Sequence, residues 1–192
     1  MLYLVRHGRT EANASGLLLG RADPPLDDLG ERQATAIGSM IGDVDLVVSS
    51  PLRRAVQTAE VFGREIVVES RWIELDYGTL DGTALSEVSS ATWEAWRSDL
   101  DLAPPGGESH RQLGDRVHSA CEELLEAALA GDVVVVSHVS PIKSAVAWAL
   151  GVGDEIAWRC HLATGSVTTV TVGAAGPVLR GFNDISHLGG DR

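Results

Sequence analysis

Val133-Val134-Val135-Val136-Ser137-His138 is the stretch on which the fold turns. A Val-rich run without polar alternation suits a strand covered on both faces, the situation of a central strand in a mostly parallel sheet. Working outward, Leu113, Val117, Cys121, Leu124, Leu125 and Ala128 recur at three- and four-residue steps before it. That spacing predicts one apolar stripe on a single helix of about five or six turns, ended by Gly131. After it, Pro141 stands at the start of a helix expected over Ile142–Leu150. Helix, strand, helix in that order is a βα pattern.

The same alternation runs through the rest of the chain. Strands are expected near Leu2–Val5, Val44–Ser49 and Ile66–Glu69, with helices over Asp27–Ile41 and along the stripe Leu52, Ala55, Val56, Ala59, Phe62 that follows Pro51. Past Ala163 the chain turns β-rich. Gly165–Val172 and Val178–Asn183 flank Gly173-Ala174-Ala175-Gly176-Pro177 and read as a hairpin added antiparallel to the sheet. Residues 85–107 carry Trp93 and Trp96 and end in Pro104-Pro105-Gly106-Gly107, a helical excursion over one end of the sheet. The expected fold is α/β: a three-layer α/β/α sandwich, one domain over residues 1–192, with a frayed tail from Leu188 to Arg192.

Composition narrows the functional classes. A formal net charge of -12 argues against nucleic acid, whose phosphates are held by excess Lys and Arg. An anionic substrate must then meet a local positive pocket within a repelling field. The first apolar stretch ends at Arg6, too short for the core of a signal peptide, and no run is long enough to span a bilayer. A cytoplasmic protein without membrane contact is expected. Cys121 and Cys160 lack close spacing and read as two reduced, buried thiols. No coiled-coil heptad is visible, so a monomer or a homodimer is expected.

Ligands of open α/β sheets bind beyond the carboxyl ends of the strands. Three such ends are chemically loaded: Arg6-His7-Gly8-Arg9-Thr10-Glu11-Ala12-Asn13, then Ser49-Ser50-Pro51-Leu52-Arg53-Arg54, then Ser137-His138. Glu74 follows the third strand, in Ile73-Glu74-Leu75-Asp76-Tyr77-Gly78. Guanidinium forks match phosphate oxygens and stay charged. A neutral imidazole can attack phosphorus and later leave. Gly8 lets backbone approach a phosphate, and Asn13 can donate an amide hydrogen bond. Such parts suit phosphoryl transfer.

In this order and spacing, these segments resemble the histidine phosphatase superfamily, the phosphoglycerate mutase-like group that includes many small bacterial phosphatases. Gly20, Pro25-Leu26 ahead of Gly30, Thr58, and Gly106-Gly107-Glu108-Ser109 belong to the same likeness, which spans nearly the whole chain. It implies His7 as the phosphohistidine nucleophile, Arg6, Arg54 and His138 around the phosphoryl group, and Glu74 as proton donor. It further implies phosphate or substrate contacts at Gly8, Thr10, Asn13, Gly20 and Val139. No cofactor and no metal are implied, and the partner is a small phosphorylated metabolite. Ser137-His138-Val139-Ser140-Pro141-Ile142-Lys143 looks like the corresponding run of α-ribazole phosphatase-like and broad-specificity acid phosphatase members.

Several alternatives stay open on residues alone. Arg53 and Arg54 point about 100 degrees apart on a helix, and helix geometry does not choose between them; the family pattern selects Arg54. Asp76 shares a face with Glu74 and competes as the acid. Arg9, Arg21 and Lys143 are ambiguous between substrate contact and surface charge, and Trp93 and Trp96 between core and pocket cover. His110 and His118, eight residues apart, lack a third metal ligand at suitable spacing. The rival functions are a cofactor-dependent phosphoglycerate mutase and a non-catalytic phospho-ligand sensor. The run Asp81 to Pro105, with Arg97 as its only basic residue, is short for a mutase and favours hydrolysis.

Overall fold

In the computed structural model, which describes residues 1–190, the valine run forms strand β4 (Val133–Ser137), buried along its whole length. Strands β1 (Leu2–Arg6) and β2 (Leu46–Ser49) lie parallel on its two sides, with Leu2 and Leu46 both opposite Val133. Strand β3 (Ile66–Val68) continues the parallel part, while β5 (Val167–Gly173) and β6 (Gly176–Asp184) add antiparallel strands next to β1. The sheet order is β3-β2-β4-β1-β5-β6.

Because side chains alternate across a strand, β4 supplies two cores at once. Val133 and Val135 pack with Leu113, Val117 and Cys121 of helix α5 (His110–Glu123) and with Ile142 and Ala145 of α7 (Val139–Leu150). Val134 and Val136 pack on the other side with Ile37 of α2 (Asp28–Ile41) and with Ala55 and Ala59 of α3 (Arg53–Ala59). The expected three-layer α/β/α sandwich follows from this division. A four-residue helix α1 (Glu11–Ala14) leaves the end of β1, and α4 (Ser90–Ser98) forms the excursion.

The elements differ from expectation at their ends. The stripe from Leu113 to Ala128 is broken at Leu124, whose N–H reaches back to the Cys121 carbonyl in a tighter turn; α6 (Leu125–Ala130) follows. Leu113 and Ala128 nevertheless meet the same core. Helix α7 begins at Val139, three residues before Ile142, with Pro141 in a first turn that needs no internal N–H donor. The helix after Pro51 ends at Ala59 and tightens to a 3-10 turn over Glu60–Phe62. β2 starts at Leu46, not Val44, and β3 stops at Val68, because the Glu69 carboxylate accepts from Arg71 N–H to start a turn. The hairpin link is only Ala174-Ala175; Pro177 lies inside β6, an edge strand where a missing donor does no harm.

Leu188 is buried at the end of a short turn rather than frayed, and Asp191 and Arg192 of the expected tail lie outside the described residues. Cys121 is buried, but Cys160 only partly, so the expectation of two buried thiols holds for Cys121 alone. Among the described residues no helix is long and apolar enough to cross a membrane.

Candidate active site

Parallel pairing of β4 with both β1 and β2 brings three carboxyl ends to one edge. The His7 N–H donates to the Ser137 carbonyl and the Ser50 N–H to the Val136 carbonyl, each at 3.0 Å. His7, Ser50 and His138 are thereby set side by side by backbone alone.

His7 is buried, with Nδ1 2.6 Å from the Gly8 carbonyl and Nε2 3.2 Å from Nε of Arg54. A carbonyl oxygen only accepts and a guanidinium only donates. The proton therefore lies on Nδ1, and Nε2 holds a lone pair. Burial, then the charges of Arg54 and Arg6, push the His7 pKa well below its ordinary value and keep the ring neutral.

Arg54 is aimed by its other two nitrogens, which donate to the carbonyls of Ala22 and Gly20 at 2.7 and 2.9 Å. It is wholly buried at the start of α3, whereas Arg53 is exposed. The fold thus separates two residues that helix geometry left equal. Arg6 donates to the Leu162 carbonyl at 2.6 Å, and its Nε is buried without a partner among the described residues. Burial pushes the Arg6 pKa down to about 10, still charged at neutral pH.

His138 packs against His7 with ring centroids 5.0 Å apart. Its Nε2 lies 2.7 Å from the Ser50 hydroxyl, which also accepts the Leu52 N–H at 3.3 Å, and its Nδ1 is buried without a partner among the described residues. Burial and then the Arg54 charge lower the His138 pKa well below its ordinary value, so two neutral rings share the site. Tyr77, close by, has its pKa raised by burial and stays a phenol.

Glu74 lies on the wall of the same cavity as His7. Its Oε1 accepts from the N–H groups of Leu75 (2.7 Å) and Ser140 (3.2 Å), and Oε2 from that of Val139 (3.1 Å). The first turn of α7, with its unpaired donors, is what fixes the carboxyl group. Asp76 faces elsewhere: Oδ1 accepts the Gly78 N–H at 2.8 Å, Oδ2 is 3.9 Å from Arg21, and it does not line the cavity. Position therefore separates the two acids in favour of Glu74.

The cavity opening from His7 measures about 550 Å³. Of the ten candidate site residues, Arg6, His7, Asn13, Glu74 and Val139 line it; Gly8, Thr10, Gly20, Arg54 and His138 stand behind that surface. A Cβ on Gly8 would lie 2.3 Å from the Gly30 carbonyl oxygen, so the packing against the start of α2 requires a glycine there. Gly20 acts through its carbonyl, which holds Arg54. Thr10 caps α1, and Asn13 spends its Oδ1 on Thr10 while facing the cavity. Val139 spends its N–H on Glu74.

Arg9 reaches the cavity but is paired with Asp27 at 2.8 Å; Arg21 sits beside Glu108 at 3.4 Å, off the cavity. Lys143 lines it and donates to the Ala157 carbonyl at 2.9 Å. Trp93 is on the cavity wall, and Trp96 lies behind it in a small core with Leu18 and Val88. Among the described residues no group of three His, Cys, Asp or Glu side chains is placed to hold a metal.

Four functional groups escaped the sequence reading. Ser50 was visible within its motif but had no role without its partner. Arg116, whose guanidinium bonds Glu108 and the carbonyls of Arg71 and Glu74, looks in sequence like any charged helical residue. Trp158 and the Leu162 carbonyl carry no sequence signal for a place in this site.

Neutral imidazoles, buried guanidinium groups and one carboxyl at the carboxyl edge of a mostly parallel sheet define an α/β protein equipped to hold a phosphoryl group. Residues 2–185 match the histidine phosphatase superfamily (branch 1), and the chain belongs to that superfamily. A probable phosphoglycerate mutase of Salmonella choleraesuis is 34% identical, over 97% of this chain and 94% of its own. A phosphoserine phosphatase of Entamoeba histolytica, solved with 3-phosphoglyceric acid, superposes with a TM-score of 0.89 at 28% identity, covering 97% of this chain and 98% of its own. An α-ribazole phosphatase of Shigella flexneri superposes with a TM-score of 0.83 at 25% identity, covering 95% and 96%. A bifunctional protein of Mycobacterium tuberculosis is 34% identical over 87% of this chain, which spans about half (49%) of that relative's length.

Proposed function

We propose that the chain hydrolyses a small phosphomonoester through a phosphohistidine on His7, with Glu74 as proton donor. The observation that carries this reading is the setting of the His7 ring: neutral, with Nδ1 donating to the Gly8 carbonyl, and with the Nε2 lone pair engaged only by the Arg54 Nε–H.

In the first half, the Nε2 lone pair forms the P–N bond while the P–O ester bond breaks and the departing oxygen takes the proton of the Glu74 carboxyl group. Nδ1–H stays on the Gly8 carbonyl and stabilises the positive charge of the phosphorylated ring. The Arg54 Nε–H, freed from the lone pair, turns to a phosphoryl oxygen; Arg6 Nε and His138 Nδ1, both buried without partners among the described residues, supply further donors. In the second half, Glu74 takes a proton from water as the water oxygen attacks phosphorus, and the P–N bond breaks to return the lone pair to Nε2 and release inorganic phosphate. The positive charge comes from protein side chains, so turnover is expected to persist in chelator.

A phosphoglycerate mutase reading is favoured by the name of the Salmonella relative. Against it, Arg97, the only basic residue between Asp81 and Pro105, lies off the cavity. Phosphate release from p-nitrophenyl phosphate, measured beside isomerisation of 3-phosphoglycerate with and without bisphosphoglycerate, decides between them. Hydrolysis is expected to dominate; isomerisation outpacing it would reverse the choice. His7→Ala is expected to abolish both turnover and acid-labile phosphoryl labelling. Labelling that survives on another residue would refute the assignment, and turnover that is already absent in the parent protein would point to a phospho-ligand sensor.

A further inference from the structure

The cavity beyond His7 is far larger than a phosphoryl group with a short polar chain requires. At about 550 Å³ it falls within the range of sites that enclose drug-sized ligands. Away from the reacting groups its lining is largely aromatic and aliphatic, with Trp93, Trp158, Tyr77, Leu17, Leu19 and Leu85 standing beside polar groups such as His161 and Thr164.

This lining is held in place. Trp96 meets Trp93 edge-on at 5.3 Å from behind, Trp93 and Trp158 stand 6.2 Å apart at 74°, and His110 packs on Trp158 at 4.9 Å. The Lys143–Ala157 hydrogen bond ties the turn that carries Trp158 to α7. Fixed edge-to-face aromatics offer a flat partner a surface at little ordering cost.

The cations on the wall all hold protein partners, although Lys143 keeps its charge and two of its three donors beside a neutral carbonyl. Arg9 is paired with Asp27, Arg6 bonds the Leu162 carbonyl and belongs to the reacting end, and Lys143 holds Ala157. We infer that the substrate is a phosphomonoester whose leaving group carries a flat aromatic or heteroaromatic ring, seated against Trp93 and Trp158. The inference rests on the phosphatase reading above and names the substrate class of that same site.

The test compares esters with similar alkyl leaving oxygens, so that intrinsic reactivity does not decide the ranking. 2-(1-Naphthyl)ethyl phosphate, glycerol 1-phosphate and phosphoserine are assayed for kcat/KM, with p-nitrophenyl phosphate as the control for phosphatase activity. The naphthylethyl ester is expected to exceed the other two by at least about tenfold, chiefly through KM. Trp93→Ala is expected to lose about tenfold more kcat/KM on the naphthylethyl ester than on glycerol 1-phosphate, with Trp93→Phe restoring most of the difference. Hydrolysis of p-nitrophenyl phosphate with no preference for the ring-bearing ester would overturn the substrate class and leave the phosphatase reading intact. Failure on p-nitrophenyl phosphate as well would overturn both. Because the ranking is read on the parent protein, the outcome does not depend on the variants folding.

Discussion

At the scale of single residues, the reacting groups commit most of their polar atoms to fixed partners. His7 gives its Nδ1 proton to Gly8 and Arg54 gives two nitrogens to carbonyls, which leaves one lone pair and one donor facing each other. Under the proposed mechanism Glu74 is the exception, since its bonds to α7 would have to loosen as it passed a proton. Glu74→Gln keeps the shape and removes the proton. It is expected to slow alkyl phosphates by about 10²–10⁴-fold, the usual weight of general acid catalysis, and activated aryl phosphates far less. Equal losses on both would move suspicion to Asp76. Protonation gives a second check. The folded pKa values of His7 and His138 lie below the unfolded value of about 6.5. As pH falls below that value the unfolded chain binds protons that the folded rings refuse, so stability drops with falling pH until the folded pKa values are reached. The His7 ring resonance should titrate well below pH 6.5 in nuclear magnetic resonance spectra, with the unfolding midpoint in urea falling over the same window. Titration near 6.5 would mean that neither burial nor the arginines set its charge.

At the scale of elements, two glycines let α2 cross the chain that leaves β1. A Cβ on Gly30 would lie 2.1 Å from the Arg9 carbonyl oxygen, and one on Gly8 2.3 Å from that of Gly30. Both collisions are with backbone, which cannot rotate aside. Gly30→Ala is therefore expected to destabilise the fold by about 3 kcal/mol or more. In a chain of this length that is a fall in Tm of roughly 6–12 °C, read by calorimetry. A change within 1–2 °C, on the order of experimental noise, would mean that the crossing is loose. The sequence displayed Gly8 and Gly30 but not that they meet. In general, strands and stripes were legible because burial imposes a period on side chains, as in Val133–Val136 and the residues from Leu113 to Ala128. His7, Arg54 and Glu74 were legible as types at strand ends. Illegible were the contributions of backbone: the carbonyls of Gly20, Ala22 and Leu162 that aim the arginines, and the α7 donors that hold Glu74. A peptide group has no letter in the alphabet. The break at Leu124 was hidden for a related reason, since a tightened turn leaves the apolar spacing nearly unchanged.

At the scale of the whole molecule, a net charge of -12 surrounds a pocket built to receive an anion. The surface field is screened by salt, whereas the buried Arg54 is screened far less. Raising ionic strength from about 0.01 to 0.15 M shortens the screening length from about 30 to 8 Å and removes more repulsion than attraction. kcat/KM for a phosphomonoester is expected to rise by about two- to threefold across that range, in stopped-flow or steady-state assays at low substrate. A fall would show that the pocket's own field reaches well beyond the surface. The hydrogen bonds from His7 to Ser137 and from Ser50 to Val136 have a larger consequence. They extend the ladder of three adjacent interior strands into the reacting groups, so the site is expected to open only with that part of the sheet. Separation of His7 from His138 is then expected only where that part of the sheet itself opens. Damage elsewhere in the molecule would reduce the fraction of working molecules and leave the turnover of each survivor unchanged.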